Sequence, residues 1–221
     1  MSYTTRDQQA RLHALGYDAG PIDGLKGPAT RGALQRALGD RGGRNVHDLF
    51  HPSGLHRVHW HWTAGAYGTI AMERRAYNGL IDQHGNRHDG DFRFEAQATY
   101  RVGRAASHTL NANTGAIGLS CDAMAGAKER PFSAGSAPLT MDQLWEMCEW
   151  TAELCFAYDI PVSRYSTLTH AEIEPTLGIK QRWKWDIRWL PDMKAVGGAV
   201  EVGDRLRGMT REKYEDLGLA A

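Results

Sequence analysis

The 221-residue sequence lacks a long apolar run, an excess of charge and a pattern of paired cysteines. No stretch approaches the roughly 20 apolar residues of a membrane-spanning helix. The opening residues, MSYTTRDQQA, lack the basic and apolar segments of a secretory signal. The formal net charge is +0, which argues against broad electrostatic capture of nucleic acid or of an anionic membrane. We therefore expect synthesis in the cytoplasm, a monomer, and a partner that is bound in a shaped site.

The three cysteines, Cys121, Cys148 and Cys155, are too few and too irregularly spaced for a disulfide framework. Cys148 and Cys155 lie in a helical pattern, where free cysteine usually packs as a small buried residue. Hydrophobic residues make up 42% of the chain, enough for a packed core. The composition therefore predicts a folded protein of a reducing compartment.

The first forty residues have the pattern of a separate helical unit. Thr5 and Gln8 resemble a capping box that begins a helix, and Gly16 is suited to end it. Turn residues follow in GPIDG, and Pro28 fits the first turn of a second helix. The pattern predicts two short helices joined by a tight, glycine-rich loop, and GDRGGRNVHDLF is the predicted boundary.

This N-terminal stretch resembles the peptidoglycan-binding domain type 1 family. The resemblance covers QQARLHALGYDAGPIDGLKGPATRGALQRAL, in which L-x-x-L-G-Y precedes D-G-x-x-G-P-x-T. It implies a small three-helix module over residues 1–45 that binds bacterial peptidoglycan. A generic helical hairpin is the alternative, because short motifs also match by chance.

The remainder of the chain alternates strand and helix patterns. We predict strands in LHRVHWHW, YNGLID, ATYRVG and GAIGLSCDAM, and a long helix in TMDQLWEMCEWTAELCFAYDI that starts with a capping box at Thr140 and Gln143. Interleaved strands and helices favour an α/β domain, with a mixed central sheet flanked by helices, over residues 46–196. Residues 197–221 are predicted to be a polar C-terminal tail.

Two histidines, His59 and His61, share one face of the first predicted strand of this domain. They are either satisfied core residues or metal ligands. A hydrolytic zinc needs three protein ligands and one open position. His170, after the long helix, and Asp186 are candidates for the other ligands. Lys184 precedes Asp186 by two residues, so an extended segment would put both side chains on one face.

These residues resemble the signatures of the zinc-dependent N-acetylmuramoyl-L-alanine amidases of the type 2 superfamily, which includes phage amidases and animal peptidoglycan-recognition proteins. HWTA at 61–64 matches His-x-[ST]-Ala, THAE at 169–172 matches the second signature, and KWD at 184–186 matches Lys-x-[CD]. The resemblance implies an amidase type 2 fold with Zn²⁺ held by His61, His170 and Asp186. His59 would be a neighbour of the ligands, with ligation as its alternative role.

Two further segments carry the resemblance. AYNGLID places Tyr77 where phage members have a functional tyrosine, and ASHTLNANTGAIGLS implies that His108 and Asn113 contact substrate. Ser120 stands nearest to the position of the catalytic glutamate of some bacterial members. Tyr77 and Lys184 are therefore the implied catalytic residues, as in the phage pattern.

The resemblance implies that zinc-activated water cleaves the amide between N-acetylmuramic acid and L-alanine. The enzyme would be a phage or prophage endolysin that reaches the cell wall after release from the host cytoplasm. The alternatives are a peptidoglycan-recognition protein without catalysis and a zinc peptidase that cuts stem peptides. Trp183, Trp185 and Trp189 could line a sugar–peptide groove or belong to the core.

Overall fold

The centre of the protein is a mixed β-sheet, seen in a computed structural model that describes residues 3–219. Within those residues the strand order is β3-β2-β4-β1-β5. Strands β2, β4, β1 and β5 are parallel, and β3 is antiparallel to β2. The predicted mixed α/β fold is confirmed. The strands are β1 Arg57–Trp62, β2 Gly79–Ile81, β3 Arg87–Asp89, β4 Ala116–Cys121 and β5 Thr167–Thr169.

Helices cover both faces of the sheet. Thr140 and Gln143 form the predicted capping box of α4, whereas α1 is capped one residue earlier than predicted, by Thr4 with Asp7. Over residues 3–219, no helix is both long and apolar enough to cross a bilayer. The helices are α1 Thr5–Ala14, α2 Pro28–Asp40, α3 Ala71–Ala76, α4 Met141–Ala157, α5 Ile173–Leu177 and α6 Ala199–Leu219. Short 3₁₀ turns span Val46–Leu49, Phe94–Thr99 and His170–Glu172.

The two faces of β1 have different chemistry. Trp60 is fully buried toward α4, where its indole N–H donates to the Thr151 hydroxyl over 2.8 Å. His59 and His61 alternate with it and therefore lie on the opposite face. The apolar face anchors the sheet to α4, and the polar face carries the candidate site.

The prediction of a polar tail over residues 197–221 is wrong for residues 199–219, because these form helix α6, which packs against the core. Val202 and Leu206 are fully buried and belong to the same apolar cluster as Leu144 and Met147 of α4. The sequence of α6 is polar because its apolar residues form one narrow stripe, which is all that a helix packed on one side requires. Ala220 and Ala221 lie outside the described residues.

The strand predicted in ATYRVG is also wrong. Residues 98–103 contain the end of the 3₁₀ turn Phe94–Thr99 and a loop. The side chain of Gln97 binds the backbone of Ala106 in both directions, at 2.8 Å to its N–H and 3.1 Å to its carbonyl. The loop is thus held by a buried side-chain amide in place of a strand ladder.

The N-terminal helices dock against the sheet domain through buried contacts. Asp7 of α1 pairs with Arg57 of β1 at 2.9 Å, and Arg6 donates to the carbonyl of Leu177 at 3.0 Å. The predicted boundary at residue 45 remains a prediction, although Leu49 and Phe50 pack in the same cluster as α1 and α2. A further buried cluster joins both parts of the chain and contains Ala10, Ala112, Leu168, Ile173 and Leu177.

The pair of Asp7 and Arg57 predicts a pH-dependent stability. Burial by itself would raise the pKa of Asp7, but the charge of Arg57 and the bond to His56 outweigh it and hold that pKa well below its ordinary value. The carboxylate therefore contributes stability above its unfolded pKa of about 3.9, and this contribution is lost as the pH falls below that value. We expect Asp7→Asn to lower the free energy of unfolding by about 3–5 kcal/mol at pH 7, because it leaves Arg57 buried without its partner.

Urea unfolding at pH 7 and pH 3 measures this difference. The difference in the free energy of unfolding between wild type and Asp7→Asn should be smaller at pH 3 than at pH 7. As a matched control, Asp18→Asn, at an exposed position, should stay within about 0.5 kcal/mol of wild type. An equal gap at both pH values would contradict the assignment.

Candidate metal centre

Three ligand atoms from distant parts of the chain converge beside the sheet. His61 Nδ1 lies 3.0 Å from His170 Nδ1 and 3.6 Å from Asp186 Oδ2, and His170 Nδ1 lies 3.2 Å from the same oxygen. All three residues are buried. Ligands of one tetrahedral zinc are roughly 3.3–3.5 Å apart, given zinc–ligand distances of about 2.0–2.2 Å. The three spacings therefore suit a single ion.

Strand register explains why the two histidines meet. Strands β1 and β5 are parallel neighbours with Trp60 opposite Thr169, so His61 and His170 occupy the next position of each strand. His170 begins the 3₁₀ turn that follows β5. Asp186 comes from a later turn, and its carbonyl accepts the N–H of Ala171 at 2.8 Å. The sheet thus places the ligands at the carboxyl ends of parallel strands, where α/β folds build their sites.

The hydrogen bonds of His170 determine which of its nitrogens carries the proton. Its Nε2 lies 3.1 Å from Gln181 Oε1. The amide nitrogen of Gln181 donates to the carbonyls of Leu110 and Ile179, at 2.9 and 3.2 Å, so the amide oxygen must face the histidine. We therefore assign the proton of His170 to Nε2. Its Nδ1 is left with a lone pair that points at the other two ligand atoms.

A second chain of hydrogen bonds gives His61 the same tautomer. His108 Nε2 lies 3.1 Å from the carbonyl of Ala116, which can only accept, and 3.3 Å from the amide nitrogen of Gln97. That amide can use both of its hydrogens on the carbonyls of Ala106 and Asn113, at 3.1 and 3.3 Å, so we assign the proton to His108 Nε2. Its Nδ1 is then an acceptor, 3.2 Å from His61 Nε2. His61 donates from Nε2 and keeps Nδ1 free. Gly118 makes room for this arrangement, because a Cβ there would lie 2.5 Å from the His108 ring.

The electrostatics favour a bound cation. Burial lowers the pKa of His61 to about 4, against the opposing influence of Asp186. An aspartate carboxylate beside the Nδ1 atoms of two histidines is a donor set that zinc takes in catalytic sites.

A second group of nitrogens involves the other histidine of the opening motif. His59, His61 and His108 are buried, with ring nitrogens within 4.8 Å of one another. His59 Nδ1 bonds the Thr109 hydroxyl at 3.1 Å, and its Nε2 has no hydrogen-bond partner within residues 3–219. The proton assigned to His61 Nε2 points into this group, which favours ligation through Nδ1 and leaves His59 as a packed neighbour.

A cavity of about 690 Å³ opens directly onto His170. The predicted substrate residues His108 and Asn113 line it, but both are engaged by the protein. Asn113 Oδ1 accepts the backbone N–H groups of His108 and Thr109, at 3.1 and 2.8 Å. Asn113 thus fixes the loop that carries His108, and His108 in turn fixes His61.

The two predicted catalytic residues lie near different ligands, Lys184 near His170 and Tyr77 near His61. Lys184 is exposed and lines the cavity together with His170. The extended segment expected around it is instead a loop that leads into the turn of Asp186. Tyr77 precedes β2, and its ring centroid lies 5.3 Å from that of His61. Burial, followed by the charge of Asp186, raises the pKa of Tyr77 well above its ordinary value, so its phenol stays protonated.

Several residues of the site were not predicted. Gln181 and Gln97 act through their side-chain amides, and neither belongs to a recognisable motif. Asp122 directly follows β4, two residues beyond Ser120, and burial raises the pKa of its carboxyl group to about 6. Its position after an apolar strand was the only available signal.

The three tryptophans near Asp186 have different environments. Trp189 is buried in the core, and Trp185 packs edge-on against Trp62 with ring centroids 4.8 Å apart. Trp183 is 98% exposed, and its backbone has a left-handed φ of 53°. Trp185 and Trp189 therefore pack in the core, and Trp183 is exposed to solvent.

Two solved structures are similar to part of this chain. One is the N-acetylmuramoyl-L-alanine amidase LysC from Clostridium intestinale URNW, at 15% identity over 57% of this chain and 87% of that chain, with a TM-score of 0.35. The other is the complex of tracheal cytotoxin with the ectodomains of the peptidoglycan recognition proteins LCa and LCx, at 15% identity, 60% and 81% coverage and a TM-score of 0.35. No protein-family model and no curated protein matches the sequence.

The geometry predicts that removing a zinc ligand weakens zinc binding more than removing a residue that only orients a ligand. We expect Zn²⁺ to raise the Tm of wild type, because a ligand that binds only the folded state stabilises it. His170→Ala and Asp186→Asn should remove most of this shift. Gln181→Leu, which removes the partner of His170 Nε2, should weaken zinc affinity by about 10–100-fold. A competing chromogenic chelator measures the affinity.

His88→Ala is the matched control, because His88 is exposed and pairs with Asp82. Its zinc affinity should equal that of wild type. Loss of zinc binding in His59→Gln, together with full binding in Asp186→Asn, would show that the ion occupies the other histidine group.

Proposed function

We propose that this protein is a zinc-dependent peptidoglycan hydrolase that cleaves the amide between N-acetylmuramic acid and the L-alanine of the stem peptide. The observation that carries the proposal is the convergence of His61, His170 and Asp186 beside an open cavity. The donor set supports hydrolysis at a metal, and the sequence resemblance supplies the substrate and the bond.

The three proposed ligands would differ in charge and in the hydrogen bonds that orient them. A zinc ion in this site would supply an activated water and Lewis-acid polarisation of the amide carbonyl. Asp186 would contribute the one negative charge of the set. His61 and His170 would remain neutral ligands, each oriented by the hydrogen bond at its Nε2.

Lys184 and Tyr77 would have different roles toward the reacting amide. The Lys184 ammonium, exposed at the cavity wall, would stabilise negative charge as it develops on the carbonyl oxygen. Tyr77 would serve as a hydrogen-bond donor, because its raised pKa keeps the phenol protonated at neutral pH.

The substrate would cover a larger surface than the cavity alone. The exposed indole of Trp183, beside Lys184, would pack against a sugar ring. The N-terminal helices would add a second contact with the wall and, because α1 is docked on β1 and α5, at a fixed distance from the site.

A phage or prophage endolysin, released to the wall at lysis, is the biological role that this combination suits best. The presence of Asp186 and Lys184 favours a hydrolase over a recognition protein. A recognition protein needs neither a set of metal ligands nor a cation at the reacting carbonyl. A zinc peptidase would share the metal but cut between amino acids of the stem.

Digestion of purified peptidoglycan tests the reaction. With zinc, mass spectrometry should find stem peptides that carry a free N-terminal L-alanine, and a chelator should abolish them. Lys184→Met should lower kcat by about 10²–10³-fold and leave zinc content unchanged, since it removes one oxyanion-stabilising group.

Lys194→Met is the matched control, because Lys194 is exposed and outside the cavity lining. It should cleave like wild type. Shortened peptides that remain attached to glycan would identify a peptidase. Binding without any product would identify a recognition protein.

A further inference from the structure

The guanidinium group of Arg207, on α6, is fully buried beneath the turn that carries His170. Its Nη1 donates to the carbonyl of Thr167, in β5, at 2.7 Å. The same group makes a two-pronged contact with Glu172, at 3.1 Å from Nη1 to Oε2 and 2.7 Å from Nη2 to Oε1. The Arg207 side chain therefore binds both the strand before His170 and the turn that His170 begins.

Glu172 connects Arg207 to the backbone of the turn. Its Oε2 accepts the backbone N–H of Thr169 at 2.9 Å, which closes the 3₁₀ turn of His170–Glu172. His170 lies between the two residues that this bond joins. A change in the position of the Glu172 carboxylate would therefore rotate the backbone from which the imidazole projects.

The rest of α6 holds the guanidinium in one orientation. Asp204 Oδ1 accepts from Arg207 Nε at 3.1 Å and from Nη2 at 2.8 Å, and Arg164 pairs with the same carboxylate. Gly203 allows the close approach, because a Cβ at that position would lie 2.1 Å from Glu172 Oε2. The fork of an arginine suits this site, and the single ammonium of lysine does not reproduce it.

We propose that Arg207 is a positioning residue for the zinc site, acting through Glu172 on His170. Its task is to keep His170 Nδ1 within reach of His61 Nδ1 and Asp186 Oδ2. The inference rests on the metal centre of the proposed function, and it extends that centre to a helix that contributes no ligand.

Paired arginine and glycine variants of the full-length chain separate positioning from simple stability. Arg207→Lys keeps a positive charge beside Glu172 but loses the fork, so zinc affinity should fall by about 10–100-fold. Arg205→Lys makes the same change on the same helix, where the arginine pairs with Asp192 at the surface, and should bind zinc like wild type.

The second pair of variants keeps every charge in place. Gly203→Ala should push the Glu172 carboxylate aside and weaken zinc binding by a similar factor. Gly208→Ala lies in the same helix with open space around the new methyl group. It should keep zinc affinity and raise Tm by about 2–4 °C, because alanine favours a helix more than glycine.

Zinc affinity by chelator competition is the first readout, and the visible absorption spectrum of the Co²⁺-substituted protein is the second. A changed cobalt spectrum in Arg207→Lys and Gly203→Ala, with unchanged spectra in both controls, would support positioning. Lower Tm with wild-type affinity and spectrum would show that Arg207 is merely structural and overturn the proposal.

Neither readout depends on cleavage of peptidoglycan. Wild-type protein that binds zinc tightly but releases no peptide would contradict the proposed function and leave the positioning role standing. Wild-type protein that binds neither Zn²⁺ nor Co²⁺ would overturn both.

Discussion

Three electron-rich atoms held in mutual contact are the constraint on which the rest of the site depends. Two imidazole nitrogens and a carboxylate oxygen, at separations of 3.0 to 3.6 Å, repel one another unless a proton or a cation lies among them. Such a group is costly to build, so the surrounding protein must fix each member. Register between β1 and β5 places His61 and His170, and hydrogen bonds at their Nε2 atoms select the tautomer that turns both lone pairs inward.

Both ends of the chain support the turn of His170. From the N-terminal side, Arg6 binds the carbonyl that ends α5, and Ala10 packs against Ile173. From the C-terminal side, α6 supplies Arg207 to Glu172. The turn of His170 is therefore held by α1 and α6, two helices that contain no candidate ligand. A metal site of this type needs such outer contacts, since they set ligand orientation and affinity.

Local patterns predicted more of this protein than long-range contacts did. The capping box of α4 and the alternation in RVHWHW depend on neighbours within a few residues, so the sequence alone indicated them. The candidate ligands were found because their motifs lie in a recognised order. By contrast, the roles of Gln181 and Arg207 arise only when segments 11 to 71 residues apart come together. α6 was missed because a helix that packs on one side needs few apolar residues.

Anomalous X-ray scattering at the zinc absorption edge, from crystals of the zinc-loaded protein, tests the central claim most directly. The structure predicts one anomalous peak bounded by His61 Nδ1, His170 Nδ1 and Asp186 Oδ2. A peak between His59 and His108, or no peak in protein that has been shown to contain zinc in solution, would contradict the account.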